Sequence, residues 1–213
     1  MQSARQAIRH LKKADPVLRR VIDEVGPYRQ PWVRNRFGAL VLSILHQQLA
    51  IKAAQTITQR FLRLYGDGRG RMPTPSELLA TPARQLRAAG LSRQKMRYLK
   101  DLARKTASGA VPLERLARLS DEEVIEALTQ VKGIGRWTAE MFLIFSLGRP
   151  DVWAVDDLGL QLAVKQLYGL RKHPLAEKMQ RIAEPWRPYR SVASWYLWQS
   201  RRRIMGAPVT TPG

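Results

Sequence analysis

The chain is 213 residues long and 45% hydrophobic, enough to bury a core, and it sets 37 Lys and Arg against 17 Asp and Glu for a formal charge of +20. Such an excess points to a polyanionic partner, although charge alone fits a membrane surface or a ribosome as well as DNA, and a GC-rich coding bias also raises Arg. With no cysteine, disulfides, iron–sulfur clusters, thiolate zinc sites and thiol nucleophiles are excluded. The opening MQSARQAIRHLKKADP lacks the apolar stretch of a signal peptide, and no run approaches the roughly 20 apolar residues that span a bilayer. The expectation is a soluble cytoplasmic protein with no membrane association.

Apolar residues recur at helical spacing almost throughout, and no alternating β-branched run supports a strand, so the fold class is all-α. The first helix is predicted over residues 3–25, broken by Gly26-Pro27, with a turn-rich stretch to Arg34. An apolar helix follows over 37–49 and another over 51–65, ending at Gly66. The Gly- and Arg-rich loop 67–72 leads through Pro73 and Pro75 to a short helix at 76–80, and helices at 82–89 and 92–108 flank Gly90. Ser120 is followed by Asp121, Glu122 and Glu123, a capping box opening a helix with Val124, Ile125, Leu128 and Val131 on its apolar side. Beyond the next segment, helices are predicted at 157–168, 175–183 and 189–205.

Between a helix ending near Gln130 and one starting near Arg136 lies Val131-Lys132-Gly133-Ile134-Gly135. Two glycines around one apolar residue suit a tight reversal, because glycine accepts positive φ and close backbone approach while Ile134 anchors the turn in the core. The loop amides and the following helix N-terminus then face outward together, a geometry suited to phosphate. On spacing alone, an ordinary interhelical turn is the simpler account. Further on, Val155-Asp156-Asp157-Leu158 places two acids at a predicted helix start, where capping and the helix dipole account for either one.

The longer string LTQVKGIGRWTAEMFLIFSLGRPDVWAVDDLGLQ resembles the helix-hairpin-helix superfamily of DNA glycosylases, in particular the bacterial 3-methyladenine DNA glycosylase II group. The resemblance continues through LVLSILHQQLAIKAAQTITQRFLRLYG, GLSRQKMRYLKDLA and EPWRPYRSVASWYLWQ, covering residues 36 to 200 in the family's order. It implies two helical lobes flanking a cleft, one of residues 36–149 with the hairpin at 121–147, the other of residues 1–35 plus 150–213. The N-terminal α/β lobe of the larger bacterial relatives is not in this sequence.

The family's properties carry over to particular residues. The hairpin Lys132, Gly133, Ile134, Gly135 and Arg136 is expected to hold DNA phosphates, through an alkali cation (Na+ or K+) on loop carbonyls such as those of Gly133 and Gly135. The catalytic aspartate matches the second acid of the pair, Asp157, leaving Asp156 to cap the helix or orient the backbone. Glycosidic cleavage builds oxocarbenium-like charge on the sugar, which a fixed carboxylate stabilises. Relatives that also nick the backbone carry a lysine nucleophile where this chain has Trp137, and an indole forms no imine. The implied activity is monofunctional excision of alkylated bases, of the 3-methyladenine and 7-methylguanine type, from duplex DNA by base flipping in base excision repair, with no cofactor and no iron–sulfur cluster.

Alkylated purines are cationic and suit aromatic faces. Trp137 and Trp198 match aromatic pocket positions, with Trp153 and Trp195 beside them, and Met141 stands where some members have tyrosine. Trp32, Trp186 and Trp195 read equally as core or anchor residues. Ser191, Trp195, Trp198 and Arg202 fall near one helix stripe. Gln48 aligns with the residue that fills the gap left by the flipped base, with Gln47 beside it; a helix-ending pair satisfying backbone groups is an equal account. Arg201, Arg202 and Arg203 are read as DNA contacts or as a solvated helix end. The partner is double-stranded DNA and the protein a nucleoid-associated bacterial monomer; a glycosylase for another lesion, or a noncatalytic hairpin DNA-binding module, are the alternatives.

Overall fold

The computed structural model describes residues 2–66 and 70–204, with the side chains of 2, 3 and 202–204 left outside the description. Part of the loop 67–72 and the side chains of Arg202 and Arg203 therefore lie outside the described residues. Every regular element among those residues is helical, in agreement with the all-α expectation: α1 Gln2–Ala14, α2 Pro16–Val25, α3 Arg36–His46, α4 Ile51–Leu62, α5 Pro75–Ala80, α6 Ala83–Ala88, α7 Arg93–Ala107, α8 Asp121–Thr129, α9 Arg136–Phe145, α10 Leu158–Leu167, α11 Ala176–Ala183 and α12 Arg190–Ile204. Two 3-10 turns, Leu116–Arg118 and Glu184–Trp186, were not predicted. No helix among the described residues is long and apolar enough to cross a membrane.

The predicted first helix is in fact two. Pro16 has no amide to donate and disfavours helical backbone at the residue before it. Asp15 accordingly leaves the helix, at φ −147° and ψ 116°, and becomes the N-cap of α2. The other bounds shift by a few residues: α3 stops at His46 rather than continuing to 49, and α4 stops at Leu62 rather than 65. The capping box at Ser120 is present, with Glu123 reaching back to the Ser120 amide.

The chain forms two compact units, Met1–Trp32 with Leu143–Gly213, and Val33–Phe142. In the first, α1, α2, α10 and α12 pack together around Leu11, Leu18, Leu160, Val164, Trp186 and Tyr196. In the second, α7 packs against α3, α5 and α6 around Leu40, Ile44, Leu78, Leu86, Leu99 and Leu102. Lys100 on α7 caps the C-terminus of α5, donating to the carbonyls of Leu78, Leu79 and Thr81 at 2.8, 2.7 and 2.7 Å.

Asp15 does more than cap. Its Oδ1 accepts the Val17 and Leu18 amides at 2.8 and 3.0 Å, and its Oδ2 accepts the Tyr168 hydroxyl at 2.5 Å and the Trp186 indole N–H at 3.0 Å. Burial and the neighbouring Asp15 push the Tyr168 phenol far above its ordinary range. Replacing Asp15 with Ala removes the cap and strands the buried Trp186 N–H and the part-buried Tyr168 hydroxyl, so it should lower unfolding free energy by about 2–4 kcal/mol. Urea denaturation of Asp15→Ala beside Lys12→Ala, which loses only an exposed ion pair, tests this; equal midpoints would remove the role assigned to Asp15.

Candidate functional site

The unit Val33–Phe142 holds the hairpin. Val131 and Ile134 are buried, anchoring the reversal between α8 and α9. The two glycines do different work. Gly133 has φ +85°, and a Cβ there would stand 2.1 Å from Cδ2 of Tyr98, so the Tyr98 ring lies directly against this backbone. Gly135 is not at positive φ and faces open space. The expectation that both glycines are needed for the turn is corrected: only Gly133 is, and a smooth exposed surface is what Gly135 leaves.

Not every hairpin group faces outward. The Lys132 amide donates to Asp101 Oδ2 at 2.9 Å, and the Ile134 amide to the Val131 carbonyl at 3.0 Å. Burial opposes ionisation of Asp101, but the Lys132 amide and the Lys105 ammonium outweigh it and hold the carboxyl below the usual range. Arg136, expected on a phosphate, is bonded to Glu122 at 2.5 and 3.1 Å and paired with Glu140 at 3.3 Å. Its side chain is 54% exposed. The Lys132 side chain is exposed. The carbonyls nominated for a cation also have partners: Gly133 O accepts the Gln47 amide at 2.7 Å and Gly135 O accepts the Ala139 amide at 3.1 Å. Each carbonyl oxygen keeps a second lone pair beyond these bonds.

The two glutamines are likewise unequal. Gln47 is half-buried and satisfies the Gly133 carbonyl, as the backbone-satisfying account expects. Gln48 is exposed and has φ +55°, the positive-φ non-glycine residue of the described chain. Leu49 and Ile51, the latter 78% exposed, are apolar neighbours of this turn that the sequence reading passed over. Burial, then Lys95, pushes the His46 imidazole down, so at neutral pH it adds no charge here.

The other unit holds the acid pair. Asp157 is 7% exposed and is itself the N-cap of α10, its Oδ1 accepting the Leu160 amide at 2.7 Å and the Trp198 indole N–H at 2.9 Å. Asp156 is exposed. The capping role given to Asp156 is thus corrected: the cap and the buried carboxylate are one residue, because only Asp157 immediately precedes the first helical turn. Trp198 is half-buried and stacks on Phe145 at 5.7 Å and 27°, so the indole that donates to the carboxylate is itself held from its face. Gly159, unremarked in the sequence, makes room: a Cβ there would sit 3.0 Å from Asp157 Oδ1 and 3.3 Å from Trp198.

The remaining aromatics sort by burial. Trp137, in the first turn of α9, is 47% exposed, and Met141 is half-buried. Trp153 is 6% exposed, donates to the Met179 carbonyl at 3.2 Å and packs edge-on against Trp186, so it belongs to the core and not to a pocket. Trp195 is core as well, against Tyr28 and Tyr196. Trp32, read as a core or anchor residue, is 55% exposed and lies over Gly148, where a Cβ would meet its ring at 2.8 Å. Ser191, in the same helix as Trp195 and Trp198, accepts the Val152 amide at 2.9 Å. Arg202 and Arg203 lie outside the described side chains.

The inequality of the glycines is measurable. Gly133→Ala forces both a positive φ on alanine and a clash with Tyr98, and should cost at least about 2 kcal/mol of stability. Gly135→Ala should change stability by less than about 0.5 kcal/mol. Thermal melts of the two variants decide it, and similar losses in both would show that Gly133 has no special conformational demand.

Comparison with known proteins gives the family. The sequence profile of the HhH-GPD superfamily base excision DNA repair proteins matches residues 41–188. The DNA-3-methyladenine glycosylase 1 of Schizosaccharomyces pombe is 40% identical over 91% of this chain and 86% of its own length. The S. pombe 3-methyladenine DNA glycosylase solved with abasic DNA superposes at a TM-score of 0.83, with 39% identity over 92% of this chain and 97% of that one. A DNA-3-methyladenine glycosidase from Bacillus halodurans gives the same TM-score, 0.83, at 37% identity over 94% and 91%. The chain belongs to the helix-hairpin-helix GPD superfamily of base excision DNA repair proteins.

Proposed function

We propose that this chain is a monofunctional DNA glycosylase that removes alkylated bases, of the 3-methyladenine and 7-methylguanine type, from duplex DNA, acting as a monomer. The observation that carries the reading is the Asp157 carboxylate, buried at the start of α10 with Oδ1 fixed by the Leu160 amide and the Trp198 indole. Burial of a carboxylate is costly unless it is hydrogen-bonded or paired, and these two bonds offset that cost; the substrate class is supported by the names of the S. pombe and B. halodurans relatives.

The chemistry follows from charge. An alkylated purine in DNA is already cationic, so its bond to C1′ of the deoxyribose is weak and little general acid is needed. As that bond breaks, the electron pair leaves with the base and positive charge grows on the sugar. The Asp157 carboxylate stabilises this charge and orients the water that adds to C1′, its proton passing to the carboxylate or to solvent. Because Oδ1 is held at 2.7 and 2.9 Å, the group does not reorganise as charge develops. The exposed face of Trp137 suits a cationic base. Trp137 also stands where backbone-nicking relatives have lysine, which fits hydrolysis by water. The smooth Gly133–Gly135 backbone and exposed Lys132 suit strand phosphates.

Incubation of methylated duplex DNA with wild type and Asp157→Asn, with released bases quantified by mass spectrometry, tests the reading. Wild type should release methylpurines and leave nicks only after alkali; Asp157→Asn should be slower by about 100-fold or more. Nicks without alkali would replace hydrolysis by a lyase mechanism. Tight DNA binding with no methylpurine release by wild type would favour another lesion or a noncatalytic module.

A further inference from the structure

Within the unit Val33–Phe142, two segments distant in sequence are tied together. The Gln47 side-chain amide, just after α3, donates to the Gly133 carbonyl of the hairpin at 2.7 Å. Beneath both runs one face of α7, bearing Lys95, Tyr98, Asp101 and Lys105 at the three- and four-residue spacings that share a helix face. Lys95 donates to the Leu45 carbonyl in the last turn of α3. The Tyr98 ring lies against Gly133, Asp101 accepts the Lys132 amide at 2.9 Å, and Lys105 donates to the Gln130 carbonyl.

The residue following Gln47 carries the strain. Gln48 has φ +55° and is exposed. A non-glycine residue stays in that region only where its surroundings hold it. Gln47 and Lys95 fix the chain immediately before it, one tied to the hairpin and the other to the helix α7 beneath it.

We propose that Gln47 is a positioning residue for base flipping: its bond to Gly133 sets Gln48 in register with the hairpin, so that strand grip and gap filling act as one body. The proposal rests on the glycosylase reading above. Loss of the amide donor lets the Gln48 turn relax, which leaves phosphate binding intact and weakens the hold on an opened duplex. The demand on that hold is greatest when the extruded base leaves a pairing partner behind.

Gln47→Met keeps the side chain's length without its N–H, and Gln47→Asn keeps the amide but is too short to reach. The measurements are the urea midpoint, affinity for undamaged duplex, and single-turnover release of 7-methylguanine placed opposite cytosine or opposite an abasic site. Both variants should stay folded with a small drop in urea midpoint, match wild type in undamaged-DNA affinity within about twofold, and lose about tenfold in release opposite cytosine, the worth of one hydrogen bond. Opposite the abasic site the loss should stay under about twofold, because no partner base resists extrusion. Wild-type rates on both substrates, or equal losses on both, would overturn the proposal. Release by wild type is read in the same assay: its absence removes the glycosylase reading, whereas an active wild type with indifferent variants removes only the role of Gln47.

Discussion

The hairpin depends on one close approach, the Tyr98 ring packed against a backbone that carries no Cβ at Gly133. A side chain there would overlap the ring, and the positive φ would be strained in any case. With the glycine in place, the turn settles onto α7, and the rest follows from that seating. Asp101 meets the Lys132 amide, Lys105 meets the Gln130 carbonyl, and Gln47 reaches the Gly133 carbonyl. The exposed remainder, Lys132 and Gly135, is what a phosphate backbone can approach. A loop of this length would otherwise present several unsatisfied backbone groups; here part of them are satisfied from a neighbouring helix, and the rest are left to solvent or ligand.

The acid site is organised on the same economy. One residue, Asp157, both starts α10 and presents a buried carboxylate, so helix formation and placement of the group cannot be separated. Trp198 reaches it from α12, with Phe145 beneath the indole. Gly159 keeps the space between Asp157 and Trp198 open. A carboxylate fixed by an amide and an indole is suited to stabilising charge that grows beside it, because its dipolar surroundings are set before the reaction. Elsewhere in that unit, Asp15 repeats the device for structural ends alone, joining a cap to two side-chain donors.

Much of the helical order was legible because apolar spacing and caps are local signals. Ser120 with Glu123 marks the start of α8, and Gly133-Ile134-Gly135 marks the reversal. Errors came where one local rule outweighed another. Apolar periodicity carried the first helix through Asp15-Pro16, whereas proline sterics end it there. Tryptophans were the least legible residues, since their size suits core and surface equally: Trp153 is buried, Trp32 is exposed, and nothing in the neighbouring sequence distinguishes them.

By itself the sequence determined the helical class, the positive charge, the absence of thiol chemistry, the hairpin motif and, through its resemblance, the family. Each of these is written in composition or in residues close together along the chain. Tertiary structure alone decided which member of a like pair does which work. Asp157 and not Asp156 is the buried cap, Gly133 and not Gly135 needs its missing side chain, and Gln47 is bonded while Gln48 is exposed. The physical reason is common to all three pairs. Neighbours in sequence have nearly the same local propensity, and they are told apart by partners far away in the chain: Trp198 for the acids, Tyr98 for the glycines, and the Gly133 carbonyl for the glutamines.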